Sequence, residues 1–326
     1  MTYNFCTYFD SKYLYKGITM YKSLLLHVSQ DFKLWILCFD ELTNKLLSKM
    51  NLKNVELISL EEFEDEDLRR VKKDRSAVEY FWTCTPSLPL YILDRYPELD
   101  MITYIDADLY FYSDPFPIFE EFKDNSILLI EHRYAKNVEN KIKRNGRYNV
   151  QFITFRNDEI GINALKWWRE RCLEWCYRRS EDSKMGDQKY LDDWITRFQN
   201  ICVLQNKGAG LAPWNVIRYN VKQVGDKIFV DEDELIFYHF HFFKMYSKSL
   251  FNLSTYKLFN DHKRLIYVPY IKTMGETMHY VKEFDESFNK GYSSFRVDSM
   301  KDILWMLMSI IRGNFLWSRG LIEQNK

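Results

Sequence analysis

The chain has 326 residues, enough for one large or two modest domains with a full hydrophobic core. Lysine plus arginine equals aspartate plus glutamate at 46 each, so the basic excess of a dedicated nucleic-acid binder is missing and no nucleic-acid partner is expected. No window supplies the ~18 apolar residues of a membrane span. Met1–Cys6 has neither the basic nor the apolar region of a secretory leader, so a cytoplasmic protein is expected.

The first two-thirds alternate strand-like and helix-like segments. Tyr3–Tyr8 and Leu34–Phe39 are short apolar runs, and Gly17–His27 between them has helical spacing. Val55–Leu60 predicts a strand, and Glu61–Asp67 a solvated face or a helix start. Ser87–Tyr96 predicts a helix stopped by Pro97, with Thr85 or Ser87 placed to cap it. The run Met101–Tyr112 then reads as a buried strand, followed by strands at Ile127–Ile130 and Val150–Phe155. Asp158–Tyr177 predicts an amphipathic helix carrying Trp167, Trp168 and Trp175. Alternation of this kind predicts an α/β sandwich with a largely parallel sheet, whose ligands lie beyond the carboxyl ends of its strands. Residues 207–215 form a glycine-containing loop, expected either to floor a ligand pocket with Trp214 as a stacking surface or to turn tightly before a strand at Val216. Ser247–Asn289 reads as polar and irregular, and the apolar segment from Asp302 with basic flanks reads as a docked or interfacial terminal helix. The six cysteines at 6, 38, 84, 172, 176 and 202 form no CxxC pair and are expected as buried free thiols. The high aromatic content, 17%, suits either a ring-rich core or stacking on bases and sugars.

Chemistry concentrates in Tyr104-Ile105-Asp106-Ala107-Asp108. Two carboxylates at a strand end are costly to desolvate unless a cation shares them, and a divalent metal that also takes phosphate oxygens is an economical partner. Strand alternation predicts that Asp106 and Asp108 point the same way, roughly 6.6 Å apart. The same alternation puts His239 and His241 on one face, where either could complete a mixed oxygen and nitrogen shell for Mn²⁺ or Mg²⁺.

With Ser113-Asp114-Pro115 after it, this segment resembles the DxD region of nucleotide-sugar glycosyltransferases of the GT-A fold, most nearly the family 8-like group of retaining galactosyl- and glucosyltransferases. Four further segments fall in the order of that group. Asp10-Ser11-Lys12-Tyr13 is similar to its D-x-N-Y segment, with Lys12 in place of Asn; Asn149-Val150-Gln151 is similar to N-x-G, with Gln151 in place of Gly. Asp187-Gln188 is similar to its D-Q pair, and residues 239–244 to H-x-x-G-x-x-K, one residue shorter and without the glycine, which leaves both histidines as candidates. The resemblance implies a Rossmann-like GT-A fold: a mixed, mostly parallel sheet flanked by helices in a catalytic domain over 1–245, and a partly helical extension over 246–326. It implies metal ligands among Asp106, Asp108, His239 and His241. It implies donor contacts from Thr7, Asp10, Tyr13, Asp106, Ala107, Asn149 and Lys244, with Asp187 and Gln188 at the reacting carbon. The implied partners are a nucleotide-sugar donor, a UDP-sugar above others, and a glycan or lipid-linked acceptor in surface polysaccharide synthesis, with retention of configuration. Contact with the inner face of a membrane through the terminal helix is a further expectation. Gly186-Asp187 also reads as an ordinary helix cap, and Arg75 as a donor phosphate contact. An inverting transferase of the same fold, or a nucleotide-sugar-binding module without catalysis, fits the same residues.

Overall fold

The computed structural model describes residues 2–294 and 300–317. They fall into two compact units interleaved along the chain. The first takes the residues up to Tyr8, Ser29–Asp106 and Pro115–Asn206; the second takes Phe9–Val28, Ala107–Asp114 and the described residues from Lys207 onward.

The first unit is built on a seven-stranded sheet of β1 (Tyr3–Phe9), β2 (Phe32–Cys38), β3 (Val55–Ser59), β4 (Met101–Ile105), β6 (Ile127–Glu131), β7 (Tyr148–Arg156) and β8 (Ile201–Val203), where β5 is the short strand Leu109–Phe111 of the second unit. The spatial order is β3-β2-β1-β4-β7-β6-β8. β1 runs parallel to β4, β2 to β3 and β6 to β8; β7 is antiparallel to both of its neighbours. The expected mostly parallel α/β sheet is present, with β7 reversed against both of its neighbours. Every residue of β7 from Tyr148 to Phe155 is buried, as befits a strand covered on both faces.

One covering helix, Glu159–Glu174, is held at both ends of its first turn. Asp158 caps it by accepting from the Gly161 amide at 2.8 Å, and its other oxygen accepts from the Ser126 hydroxyl at 2.7 Å. A Cβ at Gly161 would stand 2.2 Å from the Arg156 carbonyl oxygen, so the helix lies directly on the end of β7. The helix buries Trp168 completely, edge-on to Trp194 at 5.6 Å. It ends at Glu174, so Cys172 lies on it and Cys176 just past it; all six cysteines are free and buried.

In the second unit, β5 pairs antiparallel with the strand Phe237–His239, placing His239 opposite Leu109. The Phe111 amide donates to Ser23 Oγ at 3.0 Å, tying β5 to the helix Leu14–His27. The aromatic surplus goes inward here: Phe240 stacks on Tyr270 with centroids 3.6 Å apart, and Tyr238 donates to or accepts from Tyr267 at 3.0 Å. Two expectations are corrected. Residues 216–218 form a 3-10 turn, and the strand begins at Val221. The stretch read as irregular contains the helix Val268–Phe284, whose buried Tyr270, Ile271, Met274, Met278 and Val281 recur at helical spacing among polar neighbours. The apolar terminal segment forms the helix Met300–Ile311; Arg319, part of its expected basic flank, lies outside the described residues.

Because backbone meets backbone at Gly161, Gly161→Ala should destabilise the protein by about 1–3 kcal/mol, measured by urea unfolding against the native chain. An unchanged midpoint would mean that the helix start relaxes freely away from β7.

Candidate active site

β4 ends at Ile105, one residue before the carboxylates. The Asp106 amide still donates to the Gln151 carbonyl at 2.9 Å, after which the chain turns through Ala107 and Asp108 and resumes as β5. The two carboxylates are therefore brought together by a turn, not by strand alternation, which corrects the geometric expectation. Tyr104 Oη donates to Asp106 Oδ1 at 2.9 Å. After the turn, the Phe240 amide donates to the Asp108 carbonyl at 2.9 Å and extends the β5 ladder past His239. That register sets His239 Nε2 3.1 Å from Asp108 Oδ1. Ligand atoms of Asp106, Asp108 and His239 lie within 4.8 Å of one another. Two carboxylates and an imidazole at that spacing fit a divalent cation with positions left for other oxygens.

Asp108 is buried. Burial pushes its carboxyl up, but the His239 ring and the Lys16 ammonium outweigh burial and hold it well below the usual carboxylate range. Lys16, on the helix Leu14–His27, places Nζ 3.5 Å from Asp108 Oδ2 and 4.2 Å from the centre of the Tyr13 ring. The sequence reading missed this lysine. Only the structure reveals it, as a charged residue inside a stretch from Leu14 to Met20 that is buried throughout. His241 stands beside the group, past the end of its strand, with its ring 5.5 Å from that of His239. Trp214 is 4% exposed and presents edges to both histidines at 5.3 Å, so the expected stacking surface is packing behind the imidazoles. Asp10 Oδ1 accepts from the Lys12 and Tyr13 amides at 3.0 and 3.2 Å, which fixes the turn that presents Tyr13. Lys244 is exposed on the strand Lys244–Met245.

The first unit carries its own polar cluster. Asn149 is held in one orientation: Gln151 N donates to its Oδ1 at 2.8 Å, and its Nδ2 donates to His132 Nε2 at 2.9 Å. His132 Nδ1 faces the Arg147 carbonyl at 3.2 Å, which sets the tautomer with the proton on Nδ1. Asp187 follows Gly186 at φ +58°, and Trp168 Nε1 donates to the Asp187 carbonyl at 2.9 Å. Asp187 does not cap the turn Gln188–Asp193 through its side chain; the Thr85 hydroxyl faces it instead. Thr85 also meets Tyr8 Oη at 2.9 Å. Gln188 Nε2 donates to the Asn145 carbonyl at 2.8 Å. Thr7 is fully buried, and its Oγ1 has no hydrogen-bond partner among the described residues. Arg75 is used elsewhere: its guanidinium stacks 3.9 Å from the Tyr177 ring centre. A surface cavity of about 320 Å³ lined by Glu62, Tyr91, Asp94, Arg95 and Arg169 includes none of these groups; the converging carboxylates, not this hollow, mark the chemistry.

The fold is of the GT-A type, and Asp106, Asp108 and His239 form a candidate divalent metal site on it. The architecture is similar to that of the galactosyltransferase LgtC in complex with donor and acceptor sugar analogues, at a TM-score of 0.53 and 14% identity, over 85% of this chain and 96% of that one. No protein-family model matches the chain. It is 34% identical to the uncharacterized protein YfnF of Bacillus subtilis (strain 168) over 90% of its own length and 98% of that protein's. It is 31% identical to the uncharacterized protein YfnD of the same organism, over 89% of this chain and 94% of that one. The chain belongs to the family of YfnF and YfnD.

Burial pushes the Asp187 carboxyl up to about 7, with Asp106 adding to the rise and Thr85 opposing it. Its unfolded value lies near 4. The proton that Asp187 keeps in the folded state therefore stabilises the fold below the unfolded value, and that stabilisation is lost as pH rises through 7. In metal-free buffer the stability of the native protein relative to Asp187→Asn should fall by up to roughly 4 kcal/mol between acidic and slightly alkaline pH. Urea unfolding at the two pH values measures it; a constant difference would mean that Asp187 ionises as an ordinary carboxyl.

Proposed function

We propose that the chain is a metal-dependent glycosyltransferase that moves a sugar from a nucleotide diphosphate, a UDP-sugar, to a hydroxyl of a glycan or lipid-linked acceptor in surface polysaccharide synthesis. The observation that carries this is the convergence of Asp106, Asp108 and His239 at the end of β4. The similarity to a protein solved with donor and acceptor sugar analogues supports a two-substrate reading.

Asp106, Asp108 and His239 would hold Mn²⁺ or Mg²⁺, and a bound divalent ion supplies charge to neutralise a departing diphosphate. The chain's own groups do the rest. Thr7, Asp10 and Tyr13 receive the nucleoside, and the small Ala107 leaves room beside the carboxylates. Lys244 adds a mobile positive charge for the diphosphate. Asn149, locked by His132 and Gln151, presents its remaining N–H and lone pair to sugar hydroxyls. Asp187, with a carboxyl that titrates near neutrality, can accept from or donate to another hydroxyl. Gln188 is an amide, a poor nucleophile, which disfavours a covalent enzyme intermediate; retention, which rests on the resemblance, would then come from same-face displacement assisted by the departing diphosphate.

The terminal helix bears on the acceptor. Met300, Ile303, Leu304, Leu307, Ile310 and Ile311 are exposed at helical spacing and form one apolar stripe. No helix among the described residues is long and apolar enough to cross a membrane. The stripe supports shallow contact with a lipid surface, where a lipid-linked acceptor would lie.

Release of UDP from a panel of UDP-sugars with Mn²⁺ tests the reaction. Asp108→Asn should lower turnover by on the order of 10²–10³-fold; unchanged turnover would overturn the assignment, and UDP-sugar binding without any turnover would favour a binding module. Separately, the native protein should sediment with anionic phospholipid vesicles and the Leu304→Glu/Leu307→Glu variant should stay in solution. Equal sedimentation of the two would remove the helix from the membrane reading.

A further inference from the structure

Both oxygens of Asp108 are engaged by the chain itself. Oδ1 faces His239 Nε2 at 3.1 Å, and Oδ2 faces Lys16 Nζ at 3.5 Å. Lys16 is 7% exposed, held under the Tyr13 ring at 4.2 Å, and lies on a helix whose first two turns are buried. A lysine so placed is costly to desolvate unless its charge has a use. The carboxylate at 3.5 Å answers that cost, and it is a carboxylate that the proposed metal also requires. One cation at that distance opposes the arrival of a second, because like charges a few ångströms apart repel strongly where water is scarce. The lysine stem is flexible and its ammonium carries three donors, so an incoming polyanion can take the ammonium over from Asp108.

We propose that Lys16 is a built-in counter-cation of the metal site, which keeps the free protein's affinity for divalent ions low until a nucleotide diphosphate arrives to draw its ammonium away. The proposal rests on the metal-site reading above and gives that site a loading rule. Free protein binds the ion weakly. The diphosphate takes the Lys16 ammonium, Asp108 is released to the metal, and each ligand strengthens the binding of the other by one reciprocal factor. A lysine with only a packing role would show none of this, since its removal would loosen Tyr13 and Asp108 and leave metal binding equal or weaker.

The test is a Mn²⁺ titration of the full chain, followed by calorimetry or by the spin signal of free Mn²⁺, without nucleotide and with saturating UDP. Lys16→Met keeps the aliphatic stem and removes the charge. It should bind Mn²⁺ roughly tenfold or more tightly than native protein when no nucleotide is present, and UDP should then improve its Mn²⁺ affinity by a smaller factor. Lys16→Arg should restore native behaviour in both. Asp108→Asn should abolish Mn²⁺ binding in every background; if it does not, the metal-site reading fails. If it does, while Lys16→Met leaves both the free affinity and the UDP effect at native values, the counter-cation proposal alone is overturned. Should Lys16→Met fail to fold, judged by its thermal transition, Lys16→Gln takes its place. Native protein whose Mn²⁺ affinity is unmoved by UDP overturns the proposal without any variant.

Discussion

A carboxylate buried at Asp108 would be a heavy burden on any fold without cationic company. The ladder between β5 and Phe237–His239 supplies part of that company by setting His239 across from Leu109 and carrying the hydrogen bonds on to the Asp108 carbonyl. The helix Leu14–His27 supplies the rest through Lys16. Removing either partner would leave a buried charge with too little opposition, a change that typically costs several kcal/mol. The aromatic packing behind this ladder, from Trp214 against the imidazoles to the stack of Phe240 on Tyr270, gives the His239 ring little freedom to relax.

The polar cluster of the first unit follows a different logic. There the charge problem at Asp187 is met by keeping the carboxyl partly protonated rather than by pairing it with a cation. Its backbone is fixed from three sides: the left-handed Gly186, the indole of Trp168, and the turn that begins at Gln188. Asn149 is fixed in turn by a histidine whose own tautomer is set by a backbone carbonyl. Polar groups held this firmly have their orientation settled before any ligand arrives, so little reorganisation remains for the binding step.

Much of this was legible in the chain. Short apolar runs alternating with helical spacing lead to the α/β sheet, and the acid pair after a β-branched run leads to the end of β4. What escaped has physical causes. Periodicity cannot tell that a strand breaks at Ala107, because the apolar pattern runs on through Leu109-Tyr110-Phe111. Lys16 counts as a solvent-facing residue in any pattern of apolar positions, and its burial depends on a carboxylate 92 residues away in sequence. The helix Val268–Phe284 was hidden because its buried tyrosines and methionines are spaced among lysines and glutamates that together read as polar. His132 gave no motif at all; its importance lies in one hydrogen bond to Asn149, 17 residues later on the neighbouring strand.

The six cysteines carry a practical consequence. Burial raises the thiols of Cys6, Cys84 and Cys172 well above their ordinary value, that of Cys38 to about 12 and that of Cys202 to about 11. A buried, protonated thiol is a poor nucleophile toward alkylating reagents. The folded chain thus offers a nearly silent background for site-specific labelling. A single cysteine introduced on its surface would take a fluorophore or spin label alone, and labelling of the native six would report the moment the core opens.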